Sequence, residues 1–267
     1  MLHHPAMDPV AVTIGPLQVH WYGLMYLAGF ASMWWLGRRQ AARPGTVLAE
    51  SQLEDLIFWG ALGVVGGGRL GYALFYGLDH WRADPMWIFR IWEGGMSFHG
   101  GLLGVGVAMA WYAHHIGRSV GEVFDFIAPL APPGLGFGRI GNFIGQELWG
   151  RPTDLPWGMV FPRDPLGLAR HPSQLYQALL EGLVLFLVLW WFASRPRPRL
   201  AVTGLFLALY GLFRCLVEFV REPDADVGFV ALGWVTRGQV LSLPMLAGGL
   251  ALLVWAYRRA PHTGAPR

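Results

Sequence analysis

The sequence predicts an all-α, polytopic integral membrane protein of about seven transmembrane helices, and three observations point there. Of 267 residues, 54% are hydrophobic and 14% are charged, whereas a soluble domain carries about 25% charge. The mean hydropathy is +0.39. The charged residues also cluster between long apolar runs instead of being spread through them.

Apolar runs fall at roughly 17–37, 56–77, 97–117, 120–143, 174–194, 201–220 and 239–257, each near the ~20 residues that cross hydrocarbon. No cleavable signal peptide is expected: the first 18 residues contain Asp8 but no Arg or Lys, and the first apolar run has its arginines behind it. The fourth run contains Pro129, Pro132, Pro133 and Gly134, which should break its helix. A membrane tolerates such a break where protein or a wet cavity satisfies the freed backbone groups.

Orientation follows from the arginines, since the chain has 20 basic residues and no lysine. Arg38, Arg39 and Arg43 follow the first run, Arg118 the third, Arg195, Arg197 and Arg199 the fifth, and Arg258, Arg259 and Arg267 the last. These segments lie on one side, which is therefore cytoplasmic, with the N-terminus outside and the C-terminus inside. The connection between the fourth and fifth spans is then a small periplasmic loop region. Residues 1–267 read as a single domain. One short internal echo, Gly68-Arg69-Leu70-Gly71 against Gly138-Arg139-Ile140-Gly141, is too brief to mark a duplicated half.

Several function classes are excluded. A formal charge of +3 without a basic stripe does not suit nucleic acid. The single cysteine, Cys215, leaves no intrachain disulfide and no CxxC motif. His3, His4, His114 and His115 have no spacing that builds a metal site and read as tail or interfacial residues. The 14 tryptophans suit interfacial belts.

Ionisable residues within spans are costly and ask for a reason. With the topology above, Tyr22, His99, Arg139, Asn142, Glu147, Tyr210, Arg214 and Glu218 all fall toward the outer leaflet. The spacing of four keeps Tyr210, Arg214 and Glu218 on one helical face. The plainer alternative for Arg214 with Glu218 is an i,i+4 ion pair, and Arg69 reads as structural. Arginines without a metal-ligand cluster suit an anionic phosphate, which guanidinium binds in a planar fork. His99 beside them suits a general base near neutral pH. Glycines 94, 95, 100, 101, 138 and 141 permit close backbone approach. Phospholipid headgroups lie at this depth. A transporter for an anionic solute and a non-catalytic lipid-binding or scaffold protein remain as alternatives. The first should show midplane sites in inverted halves, and the second has no need of His99 or the tyrosines.

At these residues the chain resembles the bacterial prolipoprotein diacylglyceryl transferases. The resemblance runs through His20-Trp21-Tyr22-Gly23-Leu24-Met25-Tyr26, the stretch Gly94 to Leu102, Gly138-Arg139-Ile140-Gly141-Asn142-Phe143-Ile144, and Glu147-Leu148-Trp149-Gly150. It continues through His171-Pro172-Ser173-Gln174-Leu175-Tyr176, Tyr210-Gly211 with Arg214 and Glu218, Arg221-Glu222-Pro223-Asp224, and Gly238-Gln239. One departure is Gly145-Gln146, where the family pattern has Asn-Gly.

The resemblance implies a transferase of the bacterial cytoplasmic (inner) membrane. It would move the diacylglyceryl group of phosphatidylglycerol onto the lipobox cysteine of a prolipoprotein signal peptide and release glycerol phosphate, without metal or soluble cofactor. Among surrounding membrane lipids, the resemblance implies phosphatidylglycerol as the substrate. The positions carried over are Tyr22, His99, Arg139, Asn142, Glu147, Gly150, Tyr210, Arg214 and Glu218. Arg139 and Arg214 would hold the phosphate, and Tyr22, Asn142 and Tyr210 would orient the headgroup. Glu147 and Glu218 would aim the arginines. His99 would take the thiol proton, or alternatively bind phosphate.

Overall fold

A computed structural model describes residues 2–223 and 228–259. Asp224 of the Arg221–Asp224 motif and Arg267 of the C-terminal arginines lie outside the described residues. In chain order the helices are α1 Trp21–Ala41, α2 Glu50–Phe75, α3 Leu78–Ala83, α4 Phe98–His115, α5 Val120–Ile127, α6 Ala131–Ile144, α7 Ser173–Gln177, α8 Leu185–Phe192, α9 Ala201–Glu218 and α10 Arg237–Arg259. A π-helical segment, Ala178–Val184, joins α7 to α8 in one continuous helix. Short strands accompany them: β1 Leu2–His3, β2 Val10–Ile14, β3 Leu17–His20, β4 Met159–Val160, β5 Ala169–Arg170, β6 Phe229–Ala231 and β7 Val235–Thr236.

Among the described residues, four helices are long and apolar enough to cross a membrane: α2, the Ser173–Phe192 helix, α9 and α10. The other expected spans are helical in α1, in α4 and in the pair α5 and α6. Leu179, Leu183 and Leu187, four residues apart, are each more than half exposed (52%, 52% and 54%). Such an apolar stripe on a long helix faces lipid instead of water. The chain is a mostly helical integral membrane protein.

The fold corrects two boundaries. The first run does not begin its helix at residue 17, because Leu17–His20 pairs with β2 in a hairpin that turns at Gly15 (φ +58°). The fourth run does break, but Gly134 is not a breaker. The interruption covers residues 128–130, and Pro132 occupies the first turn of α6, where a missing N–H costs nothing. Gly134 instead lies against α1: a Cβ on Gly29 would stand 3.1 Å from its Cα.

Contacts divide the chain into two compact units, residues 1–36 with 127–267, and residues 37–126. In the smaller unit α2 and α4 meet along a ladder of small residues. A Cβ on Gly63 would stand 2.6 Å from Gly104 O, and one on Gly71 2.8 Å from Gly100 Cα. Small residues four apart let backbones touch where lipid supplies no hydrophobic drive. Arg69 of α2 is buried and donates to the carbonyls of Ile88 (3.0 Å), Trp87 (2.8 Å), Arg90 (3.2 Å), Gly95 (3.2 Å) and Gly94, with its guanidinium 4.1 Å from the Trp87 ring. It clamps the loop before α4, as the structural reading expects.

In the larger unit Leu185 and Leu189 of α8, Val202 of α9 and Ala128 form a buried apolar cluster. Gly204 and Gly211 of α9 face α10 at backbone distance: a Cβ on Gly211 would meet Leu246 N at 2.7 Å. β1, β4 and β5 form a small sheet within the connection between α6 and α7 and the N-terminal segment.

Candidate active site

The site is built on the Ser173–Phe192 helix. Ser173, Gln174, Gln177 and Glu181 are all fully buried, and their spacing places them on one helical face. A carboxylate removed from water requires a cation. Glu181 finds Arg139 of α6, with Oε2 3.5 Å from Arg139 Nε, and its Oε1 accepts from Gln177 Nε2 at 3.2 Å. Glycine makes this reach possible. A Cβ on Gly136 would stand 3.1 Å from Gly182 Cα, so α6 and the π segment pack backbone to backbone one turn from the ion pair. π segments recur where a helix must re-aim a functional side chain.

Tyr210 of α9 lies within electrostatic reach of Glu181, Arg139 and Arg214. One turn on, Arg214 Nη2 is 2.6 Å from Glu218 Oε1, and Arg221 Nη1 shares that oxygen at 3.1 Å. The expected i,i+4 pair therefore exists, inside a larger cluster. Thr236 Oγ1 donates to the other carboxylate oxygen at 2.5 Å. The same hydroxyl accepts Gln239 N–H (3.2 Å) while Gln239 Oε1 accepts Thr236 N–H (3.0 Å). This Thr-x-x-Gln capping box starts α10 and fixes Glu218 in one step. Gly238 lies so close that a Cβ there would stand 2.6 Å from Glu218 Oε1.

A second set adjoins the first. Asn142 Nδ2 donates to Glu147 Oε2 at 3.4 Å, so Glu147 aims an amide instead of an arginine. The Glu147 and Leu148 carbonyls accept from Gln174 Nε2 (2.6 Å) and Ser173 Oγ (2.8 Å). Tyr22 packs over Gly141, where a Cβ would be 2.9 Å from its ring, and its hydroxyl is 3.3 Å from that of Tyr26. Tyr22, His20, Trp21, Gly141, Glu147 and Arg163 line a cleft of about 530 Å³. Gly150 is wedged between two segments of the chain: a Cβ would lie 2.5 Å from both His171 Cβ and Val220 O. Gln146, where the sequence departs from the resemblance noted above, takes φ +56°, a conformation costing a non-glycine residue roughly 1–2 kcal/mol. Its Oε1 accepts Arg163 N–H at 3.0 Å, which helps hold it there.

Two neighbours brace this end. Arg170 donates to both oxygens of Asp164 (2.6 and 3.1 Å), which holds that carboxyl below the usual carboxylate range. His4 is not a tail residue as the sequence suggested but buried. Its Nδ1 accepts Ala6 N–H at 3.1 Å and its Nε2 donates to Phe143 O at 3.0 Å at the end of α6. Burial lowers its pKa, against the smaller opposing effect of the Phe143 bond.

Tyr22, Arg139, Asn142, Glu147, Gly150, Tyr210, Arg214 and Glu218 thus gather within the larger unit. His99 belongs to the smaller unit, exposed in the first turn of α4 behind the N-cap Ser97, whose Oγ accepts Gly100 N–H at 3.2 Å. The echo between Arg69 and Arg139 dissolves, since one binds backbone carbonyls and the other a carboxylate. Among the described residues no group of three His, Cys, Asp or Glu side chains could hold a metal ion.

The family model described as prolipoprotein diacylglyceryl transferase matches residues 9–255. The chain belongs to the prolipoprotein diacylglyceryl transferase family. It is 57% identical over 265 residues to the phosphatidylglycerol–prolipoprotein diacylglyceryl transferase of Ectopseudomonas mendocina, covering 99% of this chain and 100% of that one. It is 58% identical to the like-named protein of Azotobacter vinelandii (97% and 98% covered), and 60% identical to that of Teredinibacter turnerae (98% and 95% covered). Within this transferase family member, sequence reasoning missed Glu181, Gln177 and Thr236 as site residues. The signal for Glu181 was present: it is an ionisable residue inside an apolar run, on the face marked by Gln174 and Gln177.

Proposed function

We propose that the protein transfers the diacylglyceryl group of phosphatidylglycerol to the lipobox cysteine of a prolipoprotein, with residues 1–267 acting as one transferase domain. It does so at the outer leaflet of the bacterial cytoplasmic membrane, with seven spans, the N-terminus outside and the C-terminus in the cytoplasm. One observation carries the reading. Arg139 and Arg214, both within electrostatic reach of Tyr210, are each balanced by a buried carboxylate, in a chain whose relatives bear this activity in their names.

Guanidinium groups pre-set in a low-dielectric site meet charge that develops on a phosphate without reorganising. His99 takes the proton of the incoming thiol, because the thiolate is the nucleophile. The sulfur attacks the glyceryl carbon that carries the phosphate ester. A carbon–sulfur bond forms, the carbon–oxygen bond breaks, and its electron pair leaves on glycerol phosphate, beside Arg139 and Arg214. Tyr22 and the Asn142–Glu147 pair orient the headgroup, and Gly150 keeps the loop after Glu147 closed. The arginines that end α1 and α10 support the cytoplasmic assignment of those ends.

The test is direct. Purified protein incubated with phosphatidylglycerol and a lipobox peptide should yield a diacylglyceryl thioether by mass spectrometry, together with glycerol phosphate. No thioether from folded protein would overturn the reading.

A further inference from the structure

The buried face of the Ser173–Phe192 helix carries more hydrogen-bonding capacity than a phosphate uses. Gln177 Nε2 must face Glu181 Oε1 and Gln174 Nε2 must face the Glu147 carbonyl, because an amide oxygen at either place would oppose another acceptor. That fixes both amides and presents both Oε1 atoms. Each is fully buried, and neither accepts a hydrogen bond from any described residue. Glu181 Oε2 also accepts none, with Arg139 at ion-pair distance only. Arg214, within electrostatic reach of Glu181 and Arg139, has in Nη1 a buried donor that no described residue uses. Buried polar atoms left in this state are uncommon and ask for a partner.

We infer that Gln174 and Gln177 form a subsite that accepts the hydroxyl groups of the lipid head, so that the site selects a phosphate carrying a polyol. This rests on the phospholipid reading above and adds to it the means of choosing the headgroup. A phosphodiester alone offers only acceptors and would satisfy Arg214 but neither glutamine. A glyceryl head adds two O–H donors a few bonds from the phosphate. An ammonium-bearing head would instead bring a cation toward Arg139 and Arg214. The same chemistry is present in the intact lipid and in released glycerol phosphate.

The experiment compares transfer by the full-length protein from phosphatidylglycerol and from phosphatidylethanol of equal acyl chains, the second lacking both hydroxyls. The native protein should prefer phosphatidylglycerol by roughly 10- to 100-fold. In Gln174→Met and Gln177→Met that preference should fall about tenfold, over and above the slowing of transfer from both lipids that follows from losing the amide N–H contacts to Glu147 and Glu181. A merely structural role would lower both rates together. In a separate arm without variants, glycerol phosphate should inhibit the native protein more strongly than ethyl phosphate. Equal native rates on the two lipids, an unchanged preference in both variants, or equal inhibition by the two phosphates would overturn the inference. Transfer from neither lipid would refute the transferase reading instead.

Discussion

The side chains of the candidate site are ordered by the cost of burying charge. Glu181 and Glu218 have no access to water, and each holds an arginine that would otherwise sit uncompensated. Most of this was legible from residue type and depth, because an arginine, a tyrosine and a glutamate at intervals of four within an apolar run must meet charge or a polar ligand to repay their burial. What was not legible was pairing across helices. Glu147 was expected to aim an arginine, yet Arg139 takes Glu181 through a glycine contact that no spacing rule reveals. His99 is argued from chemistry, and a single variant tests it. If His99 is the base, His99→Gln should still bind phosphatidylglycerol but lose about 100- to 10,000-fold in turnover. Above about pH 8.5, where a free cysteine supplies its own thiolate, part of the rate should return. Weakened lipid binding without alkaline rescue would make His99 a phosphate ligand instead, and normal turnover at neutral pH would remove it from the chemistry.

At the scale of elements, the long apolar runs announced their helices, while glycine spacing decided how those helices meet. The β2–β3 hairpin was missed although Val10, Val12 and Ile14 alternate before Gly15, because the following residues also fit the start of a span. Likewise the proline cluster signalled an interruption but not its position, since proline in a first turn starts a helix as readily as it ends one. The α2–α4 ladder gives a paired prediction from adjacent glycines. A Cβ on Gly67 would stand 2.7 Å from Gly104 Cα, whereas one on Gly66 would meet nothing within 4 Å. Gly67→Ala should therefore destabilise the protein by about 1–3 kcal/mol through forced separation of the helices. Gly66→Ala should be neutral or stabilising by up to about 1 kcal/mol, as alanine orders a helix better than glycine. Thermal unfolding in one detergent compares them, and equal effects would dismiss the ladder as a packing device.

At the scale of the whole chain, the arrangement of the larger unit makes membrane orientation a condition of function. Tyr22 begins α1, Asn142 lies near the end of α6, Gln174 begins the Ser173–Phe192 helix, Glu218 ends α9, and the Thr236 cap begins α10. Chain direction alternates through these elements, so their site-bearing ends fall together and the opposite ends of α1 and α10 carry Arg38, Arg39, Arg258 and Arg259. If the positive-inside rule sets the orientation, the site opens to the side where a secreted prolipoprotein emerges. Reporter fusions after Arg39, after Arg199 and at the C-terminus should then report cytoplasm, while fusions near Asp84 and Asp164 should report the outside. The Asp164 position is the sharpest of these, because Asp164 and Arg170 lie in the connection that carries Glu147 and Gly150. A cytoplasmic signal there would place that connection, and the residues it carries, on the wrong side for a secreted thiol, whatever the chemistry of Arg139 and Arg214.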